Sequence, residues 1–546
     1  MKTTVFSAKK IVTMNPQKPE ASHVAIREGR ILAVGSLEEI ATWGDYELDE
    51  RFADKVLFPG LVEGHAHTME GTLWRYVYCG YFDRMDPNGK TWKGNKSIED
   101  VLASLSAAEA LLEDPDAPLT GWQLDPIYLD NKPITRAQLD SVSATRPIGV
   151  MNASGHILYV NTKALELAGL MKSGVNHPGI SLGNDGMPMG ELKGPDAMTP
   201  VGEHVGLNRS MTDSDERGLR DFARLCVRTG VTTVTDLAAR LEPDGVETML
   251  RVTGEPNFPA CVVPLRFFLG LPPKELIPEV ARLKKLSTDR LSLGRIKVVA
   301  DGSIQGFSAR MRWPGYHNGA PNGLWYISPE QMQEIYELAL AEGIQVHTHT
   351  NGDQATQLAI EKLELALKKV PSNDHRFVLQ HCQLADRAQF KKMAALKMSV
   401  NLFANHHFYW GDEHYRLTVG PDRALRMNAT RTALDCGVPM TIHSDAPVTP
   451  LGPMFTAWCA VNRLTASGRT QGEHEKITVD EALWAVTMGA AHTLHMDGQI
   501  GSIEIGKRAD FAVLESDPRE AEPEKLKDVE VWGTVQGGRV FAAADA

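Results

Sequence analysis

The sequence has no block of basic residues and no long apolar run. Its 546 residues carry a formal net charge of −12, which disfavours an electropositive groove for nucleic acid or a face for anionic membranes. No stretch approaches the roughly 20 apolar residues of a membrane-spanning helix, and residues 1–7 lack the apolar core of a signal peptide. We therefore expect a cytoplasmic protein without nucleic-acid or membrane partners.

Cysteine is scarce and scattered. None of the six cysteines belongs to a C-x-x-C pair, and this spacing favours free thiols in a reducing compartment over a disulfide or zinc framework. Internal repeats of about 20–50 residues are also lacking. The remaining composition, with 42% hydrophobic and 23% charged residues, is that of a globular protein long enough for more than one domain.

Strand-like and helix-like segments alternate through the middle of the chain. One helix is predicted to begin after Ser328, with Pro329 in its first position, and to end at Gly343. Eight strands alternating with helices predict an α/β fold of the (β/α)8 TIM-barrel type. A doubly wound open sheet is the alternative, but no G-x-G-x-x-G follows the first strand. The expected strands are the apolar segment before His65 and residues 231–237, 264–271, 296–302, 344–349, 377–381, 399–403 and 440–443.

Both ends of the chain are rich in strand-forming residues. Residues 1–56 and 497–546 therefore suggest one small β-sandwich domain built from the two ends around a barrel at 57–496. Glu28-Gly29-Arg30 is expected as a hairpin turn, and residues 501–514 as a strand.

A long interruption separates the first two barrel strands. Residues 68–220 hold a helix at about 98–113 and glycine-rich loops, and they are far longer than a loop of a compact domain. We expect an inserted subdomain there, over one mouth of the barrel.

The most informative stretch, from Phe58 to His67, reads Phe-Pro-Gly-Leu-Val-Glu-Gly-His-Ala-His. An apolar run at 56–58 leads through Pro-Gly into two histidines one residue apart. Residues i and i+2 of a strand point to the same face, so His65 and His67 are expected side by side at the end of a buried strand. Two adjacent imidazoles can bind one divalent metal, although such a pair also arises by chance.

Metal-ligand residue types recur at the other predicted strands. Lys297 lies in strand 4, and His349, His381 and Asp445 end strands 5, 6 and 8. Each has an ordinary alternative, because buried histidines are commonly hydrogen-bonded core residues and a lysine can pair with a carboxylate. A barrel places its chemistry at the carboxyl ends of its strands, so the joint pattern predicts one metal-binding pocket.

This pattern resembles the amidohydrolase superfamily over nearly the whole chain. That superfamily has H-x-H on strand 1, lysine on strand 4, histidines on strands 5 and 6, and aspartate on strand 8. Within it, the chain looks most like the YtcJ-like branch (amidohydrolase family 3), to which N-substituted formamide deformylases belong. Residues 154–165, 297–302 and 349–353 carry this closer resemblance.

The resemblance implies a site for one or two divalent ions. A first ion would be held by His65, His67 and Asp445, and a second by His349 and His381. Zinc is the expected metal, because the ligands are imidazoles and carboxylates.

The resemblance also implies roles for Lys297 and Asp445. Carboxylated by carbon dioxide, Lys297 would become a carbamate that bridges two ions; the alternative is a one-metal site with Lys297 as a hydrogen-bond donor. Asp301 is about 13 Å away along an extended strand, too far to neutralise Lys297. A metal lowers the pKa of its bound water from about 15.7 to near 7, and Asp445 would pass the proton of the attacking water to the leaving nitrogen.

Two histidines complicate the pattern. The branch usually has a pair of small residues before the strand-8 aspartate, but here His443-Ser444 precedes Asp445. His347 shares a strand face with His349, which is preferred as the ligand because it lies nearer the strand end and matches the family motif. His347 is then expected one layer deeper, behind the ligands or in packing, and the role of His443 stays open.

Three residues of the insertion are candidates for substrate contact. The resemblance suggests that His156 reaches the substrate and donates to its carbonyl oxygen; a structural role is the alternative. Trp74 and Trp122 could line an apolar pocket, although aromatic residues in such a region more often form the subdomain core.

These observations predict a metal-dependent hydrolase that uses metal-activated hydroxide on a non-peptide C–N bond, amide or formamide, of a small molecule. Hydrolysis of an ester, lactone or phosphoester at the same site is one alternative. A non-catalytic binding protein on a decayed hydrolase fold is another, which the complete ligand set disfavours. A homodimer is expected, because two-fold dimers are the commonest assemblies.

Overall fold

The computed structural model describes residues 3–207 and 215–546. The chain forms two compact units. The first comprises Met1–His67 and Ala223–Ala546, and the second comprises Thr68–Phe222. The second unit spans the stretch for which the sequence predicts an inserted subdomain, whereas the predicted domain boundaries at residues 56 and 497 stay predictions.

Eight parallel strands form one sheet in the first unit, and their order across the sheet follows the chain. Strands 4 and 5 pair so that Lys297 lies opposite His347. Beyond the two edge strands, Ala66 forms a parallel bridge with Ala446, so the curled sheet brings its first and last strands together. Of the predicted (β/α)8 barrel, the α/β class and the curled parallel sheet are confirmed. Strands 1 to 8 are Leu61–Glu63, Val231–Ala239, Cys261–Phe267, Arg295–Val299, Gln345–Thr350, Val378–His381, Ser399–Leu402 and Met440–Ile442.

Strand 1 begins later than the sequence suggests. The apolar run at 56–58 belongs to the long strand Tyr46–Pro59 of a different sheet, and only Leu61–Glu63 forms strand 1. His65 and His67 consequently lie beyond the strand, after a bend at residues 64–65, rather than at its end. The prediction that His65 and His67 end strand 1 is therefore wrong.

Gly60 explains this change of sheet. Its N–H donates at 2.9 Å to the carbonyl oxygen of Asp510, the residue directly before the strand Phe511–Leu514 of the other sheet. The next N–H, that of Leu61, donates at 3.0 Å to the carbonyl oxygen of Gly230, the residue directly before strand 2 of the parallel sheet. A Cβ on Gly60 would lie 1.9 Å from Thr232 Oγ1. Because glycine has no side chain, the chain passes from one sheet to the next within a single residue.

The two chain ends build a second sheet in the first unit, with seven strands. Tyr46–Pro59 lies between Thr3–Val12 and Phe511–Leu514, and Phe6 and Phe52 pack edge to face with ring centroids 5.1 Å apart. A sandwich requires two packed layers, and that prediction stays a prediction. Across the sheet the strands are Arg539–Ala542, Val531–Gln536, Phe511–Leu514, Tyr46–Pro59, Thr3–Val12, Glu20–Arg27 and Arg30–Gly35.

Glycines set the limits of these strands. The predicted hairpin turn is confirmed: Glu28 and Gly29 have φ values of 54° and 73° and separate Glu20–Arg27 from Arg30–Gly35. The predicted strand at 501–514 is confined to Phe511–Leu514. Gly501 and Gly506 adopt φ values of 90° and 86°, which an extended strand does not contain.

Helices follow most strands of the parallel sheet. The predicted start after Ser328 is confirmed, because Ser328 Oγ accepts a hydrogen bond from the Gln331 N–H at 3.1 Å, and the helix ends at Ala341, just before Gly343. The helices of the first unit are Leu37–Ala41, Pro243–Gly254, Pro273–Lys284, Pro329–Ala341, Asp353–Lys369, Arg387–Ala395, His406–Glu413, Gly420–Ala424, Thr430–Asp435, Pro453–Asn462, Val479–Ala485 and Met488–Thr493; Glu216–Arg228 crosses the boundary between the units.

The second unit has its own core. Its helix Ile98–Glu109 follows Ser97, whose side chain accepts from the Asp100 N–H at 3.1 Å, and ends before the predicted residue 113. Leu105 and Tyr159 are among the buried residues that pack between this helix and the sheet. A six-stranded sheet contains Val77–Tyr78, Leu119–Leu124, Ile148–Asn152, Ile157–Val160, Ile180–Leu182 and Pro188–Lys193; Arg84–Met85 pairs with Thr91–Trp92, and the other helices are Glu70–Leu73, Arg136–Asp140, Thr162–Leu167 and Pro195–Gly202.

Two expectations from composition can be compared with the fold. The six cysteines all lie within the described residues, and none of them is in a disulfide. Within residues 3–207 and 215–546, no helix has both the length and the apolar character that crossing a membrane requires.

Candidate metal centre

The six predicted metal ligands converge in the first unit. His349 is the last residue but one of strand 5, His381 ends strand 6, and Asp445 follows strand 8, whereas Lys297 lies in the middle of strand 4. The carboxyl ends of parallel strands meet at one edge of such a sheet. The side chains that this topology brings together are His65, His67, Lys297, His349, His381 and Asp445.

A carboxylate and two imidazoles form the tightest group. Asp445 Oδ1 lies 3.4 Å from His65 Nε2 and 3.3 Å from His67 Nε2. This oxygen is buried and accepts no hydrogen bond. One nitrogen or oxygen atom from each of His65, His67 and Asp445 lies within 4.8 Å of the others.

This spacing fits a divalent metal. Zinc bonds to imidazole nitrogen and carboxylate oxygen at about 2.0–2.2 Å, so ligand atoms at the corners of a tetrahedron lie about 3.4 Å apart. The distances of 3.3 and 3.4 Å around Asp445 Oδ1 are of this size. A buried carboxylate oxygen without a hydrogen bond is costly in a protein interior, and a cation at this point would satisfy it.

The backbone holds Asp445 rigidly beside the histidines. The Asp445 N–H donates to His65 O at 3.0 Å, and the His67 N–H donates to Ala446 O at 2.7 Å. Asp445 itself adopts a left-handed φ of 56°, and His381 one of 70°. Left-handed non-glycine residues cost free energy and are concentrated at functional sites.

A chain of side-chain hydrogen bonds sets the proton position of His65. Gln380 Oε1 accepts from His65 Nδ1 at 2.7 Å, and Gln380 Nε2 donates to His347 Nδ1 at 2.8 Å. His65 therefore carries its proton on Nδ1 and presents the Nε2 lone pair towards Asp445. Burial, followed by the charge of Lys297, holds the pKa of His65 well below its usual value, so this imidazole is neutral, the form that binds metals.

Lys297 is a buried amine in the same pocket. Its Nζ lies 3.4 Å from His65 Nε2. Burial lowers the pKa of Lys297 to about 7, against the opposing charge of Asp445. Asp301 does not neutralise it, as expected, because the Asp301 carboxylate accepts instead from backbone N–H groups, including those of Asn351 and Gly352 at 2.9 Å.

The second predicted pair of ligands lies against the first group. The ring centroids of His349 and His381 are 4.5 Å apart, as are those of His65 and His381. His349 Nε2 is 3.2 Å from Asn351 Nδ2 and 3.4 Å from Gly302 O, which orients the ring.

His443 extends this cluster beyond the predicted ligands. Its Nε2 lies 3.0 Å from His381 Nδ1, and its Nδ1 donates to Asn401 Oδ1 at 2.8 Å. Burial lowers the pKa of His443 to about 3, so the ring is neutral. His65, His381 and His443 offer a second group of three nitrogens within 4.8 Å of one another.

A buried carboxyl group ties the two edge strands together. Glu63, at the end of strand 1, accepts from Ser444 Oγ at 2.7 Å and from the His65 N–H at 3.1 Å. Burial raises the pKa of Glu63 to about 8, although these hydrogen bonds oppose the shift. Glu63 thereby fixes the segment before Asp445 against the segment that carries His65.

Sequence reasoning did not identify the side chains that orient the predicted ligands. They belong to the short motifs around the ligands: Glu63 precedes His65 by two residues and Gln380 directly precedes His381. A polar residue at a position expected to be buried was the feature of the sequence that could have identified them. The residues concerned are Glu63, Gln380 and Asn401.

The three predicted substrate-contact residues belong to the second unit. Trp122 is 1% exposed and packs edge to face against Trp74, with centroids 5.1 Å apart, and against Tyr78 at 5.3 Å. These contacts are those of a subdomain core, the alternative considered for Trp122. His156 is half-buried before the strand Ile157–Val160, and its O accepts from the Gly194 N–H at 3.0 Å. Their contact with substrate stays a prediction.

Known proteins resemble the chain along almost its full length. It is 26% identical to the amidohydrolase-type protein YtcJ of Bacillus subtilis (strain 168), over 97% of each chain. It is 24% identical to N-substituted formamide deformylase of Arthrobacter pascens, over 96% of each chain. An uncharacterized metal-dependent hydrolase from Pyrococcus horikoshii shares the fold, with a TM-score of 0.71 at 18% identity over 96% of this chain and 99% of that one.

A family model also matches most of the chain. The model described as "Amidohydrolase family" matches residues 53–542, which include both histidines of the H-x-H motif and all other predicted ligands. This chain therefore belongs to the amidohydrolase family and is an enzyme, a metal-dependent hydrolase of that family, as the sequence predicts.

Proposed function

We propose that this enzyme hydrolyses an amide or formamide C–N bond of a small molecule. The observation that carries the proposal is the buried Asp445 Oδ1, which accepts no hydrogen bond and lies 3.3–3.4 Å from two imidazole nitrogens. A carboxylate in that setting can bind a metal and exchange a proton with the reacting atoms. The similarity to N-substituted formamide deformylase supports the choice of bond.

Imidazole and carboxylate side chains would hold the metal. His65, His67 and Asp445 would hold one ion, and His349 with His381 would hold a second. Zinc suits such ligands. When bound, it would supply an ionised water near neutral pH and a Lewis acid for the substrate carbonyl.

Asp445 would move the proton. Burial favours its neutral form, but the contact with His67 and the electrostatic interactions with the neighbouring basic side chains outweigh this effect, and the pKa of Asp445 lies below its usual value. The group is therefore an anion at neutral pH, able to take the proton of the attacking water. It would then deliver this proton to the leaving nitrogen, which departs as a neutral amine.

Lys297 would act as a carbamate. The uncharged amine attacks the carbon of carbon dioxide, loses a proton and becomes an anion with two oxygens. The pKa of about 7 supports this, because a large fraction of the amine is uncharged at neutral pH. The anion would bridge two ions and would avoid the cost of a buried ammonium without a carboxylate partner.

A substrate panel tests the proposed bond. Purified protein reconstituted with zinc would be assayed on N-substituted formamides, on amides of the same amines, and on esters matched to them in size. We expect kcat/KM to be highest for the formamides and amides. Turnover of the esters alone, by a protein whose zinc content is full, would contradict the C–N assignment.

A further inference from the structure

His443 is distinctive because it stands where small residues are expected in related chains and lies inside the centre without belonging to the predicted ligands. It is 0% exposed. Its ring stacks on Phe403, with centroids 4.8 Å apart and an interplanar angle of 30°, and on His65, at 4.7 Å and 24°. Enclosed between these two rings, the imidazole of His443 has a fixed plane.

The hydrogen bonds of His443 then fix its proton. Asn401 Oδ1, 2.8 Å from His443 Nδ1, can only accept, so the proton of the neutral ring is on Nδ1. His443 Nε2 consequently has a lone pair, and this lone pair faces His381 Nδ1 at 3.0 Å. Two lone pairs at that distance would repel each other, so His381 Nδ1 must carry a proton and donate it.

We propose that His443 is a positioning residue, which holds His381 in the tautomer protonated on Nδ1 and leaves His381 Nε2 as the nitrogen available to a metal. The inference rests on the proposed metal centre. It adds to that centre a hydrogen-bonded series, Asn401 to His443 to His381, that orients one ligand. The same logic applies to His65, which Gln380 of strand 6 orients through its side-chain oxygen.

A direct ligand role for His443 is the competing explanation. Its nitrogen lies within 4.8 Å of nitrogens of His65 and His381, which is close enough for a shared ion. The 3.0 Å contact with His381 Nδ1 opposes this role, because the lone pair that would bind an ion already accepts a hydrogen bond. The two roles predict different results when His443 is replaced: loss of an orienting acceptor changes the tautomer of His381, whereas loss of a metal ligand does not.

The test uses the full chain with histidine labelled by ¹⁵N. His443→Ala removes the acceptor, and His443→Gln offers a side-chain oxygen in its place. His375→Ala is the matched control, because His375 is another buried histidine of the first unit, 7% exposed, whose ring contacts Leu396 O and the Phe377 N–H. In metal-free protein, ¹⁵N chemical shifts report the tautomer of His381, assigned as the signal lost in His381→Gln.

The expected result is specific to His443. In His443→Ala the His381 proton should move to Nε2, and binding of one zinc ion, measured against a competing chelator, should weaken by about 10–100-fold. His443→Gln should keep the tautomer and most of the affinity, and His375→Ala should change neither. If His443→Ala does not fold, Asn401→Leu serves as a second variant. It removes the acceptor of the His443 Nδ1 proton but keeps the His443 ring, and the His381 proton is again expected to move to Nε2.

Two outcomes would overturn the inference. The first is an unchanged His381 tautomer in both His443→Ala and Asn401→Leu. The second is loss of a nitrogen ligand from the cobalt(II) visible spectrum of His443→Gln with the His381 tautomer retained, which would make His443 a ligand. A protein that bound no metal would refute the proposed function, but the tautomer in metal-free protein would still test the positioning role.

Discussion

The first unit contains two clusters of histidines that differ in how their nitrogens are used. At the metal centre, His65 and His67 direct nitrogens towards Asp445 Oδ1 at 3.3–3.4 Å, and that oxygen accepts no hydrogen bond. In the other cluster, His406 Nδ1 lies 2.9 Å from His414 Nε2, and His414 Nδ1 lies 2.6 Å from Thr418 Oγ1. His65, His406 and His414 are all buried, so burial of a histidine does not distinguish the two clusters.

The difference lies in the partners of the nitrogens. His406 and His414 stack nearly parallel, at 7°, and satisfy one another. Within the described residues, neither belongs to a group of three ligand side chains close enough for one ion. A metal centre is thus recognised by a carboxylate at ligand spacing with unused acceptor capacity, rather than by the number of histidines.

Replacing the carboxylate of Asp445 should remove the feature that distinguishes the metal centre from the cluster of His406 and His414. Asp445→Asn keeps the size of the side chain but removes its charge and its capacity to take a proton. We expect turnover to fall by about 10²–10⁴-fold, with unchanged circular dichroism. Activity within tenfold of the wild type, with metal still bound, would show that Asp445 is not the proton carrier.

Removing the buried amine of Lys297 should cause the loss of one of the two proposed ions. Lys297→Ala should lose the bridging carbamate, and with it the ion held by His349 and His381, as measured by zinc per chain. Acetate or propionate, which can occupy the vacated space, should restore part of the activity. Full activity and unchanged metal content in Lys297→Ala would rule out the carbamate.

Loosening one oriented ligand should have a smaller effect. Gln380→Leu removes the acceptor of His65 Nδ1, and we expect zinc affinity to fall by about 10–100-fold. Gln345→Leu is the control, because Gln345 begins strand 5 and donates to Arg376 O and Thr493 O instead. Equal losses in the two variants would mean that general destabilisation, and not orientation of His65, is being measured.

The second cluster should not affect the metal at all. His414→Phe keeps a ring but leaves His406 Nδ1 without its hydrogen bond, at a cost of about 1–3 kcal/mol in the free energy of unfolding. Denaturant unfolding and zinc content would be measured together. A drop in zinc content under native conditions would show that the two clusters are coupled.

The sequence predicts what depends on local pattern. The alternation of eight strands with helices, the start of the helix after Ser328 and the hairpin turn at Glu28 each follow from a few neighbouring residues, and each is confirmed. The starting point of strand 1 was not predictable in this way, because the apolar run at 56–58 suits either sheet and only contacts with distant segments select one.

The residues around the predicted ligands were harder to infer. Alternation along strand 6 assigns adjacent residues to opposite faces, so Gln380 and His381 are not expected in one pocket. The φ of 70° at His381 breaks the alternation, and both side chains reach His65. The pairing of His443 with Asn401 joins strands 7 and 8, and no spacing within either segment reveals it.

The passage through Gly60 has a consequence for the order in which this unit can form during synthesis. The strand Tyr46–Pro59 has Phe511–Leu514 as one of its two neighbours, and only Gly60 separates it from the strand that leads to His65 and His67. On the ribosome, the segment that carries these two residues stays without that flanking strand until residue 514 has been made. By then His349, His381 and Asp445 have all been synthesised. All the proposed metal ligands are therefore present in the nascent chain before the seven-stranded sheet that flanks the segment of His65 and His67 can be completed.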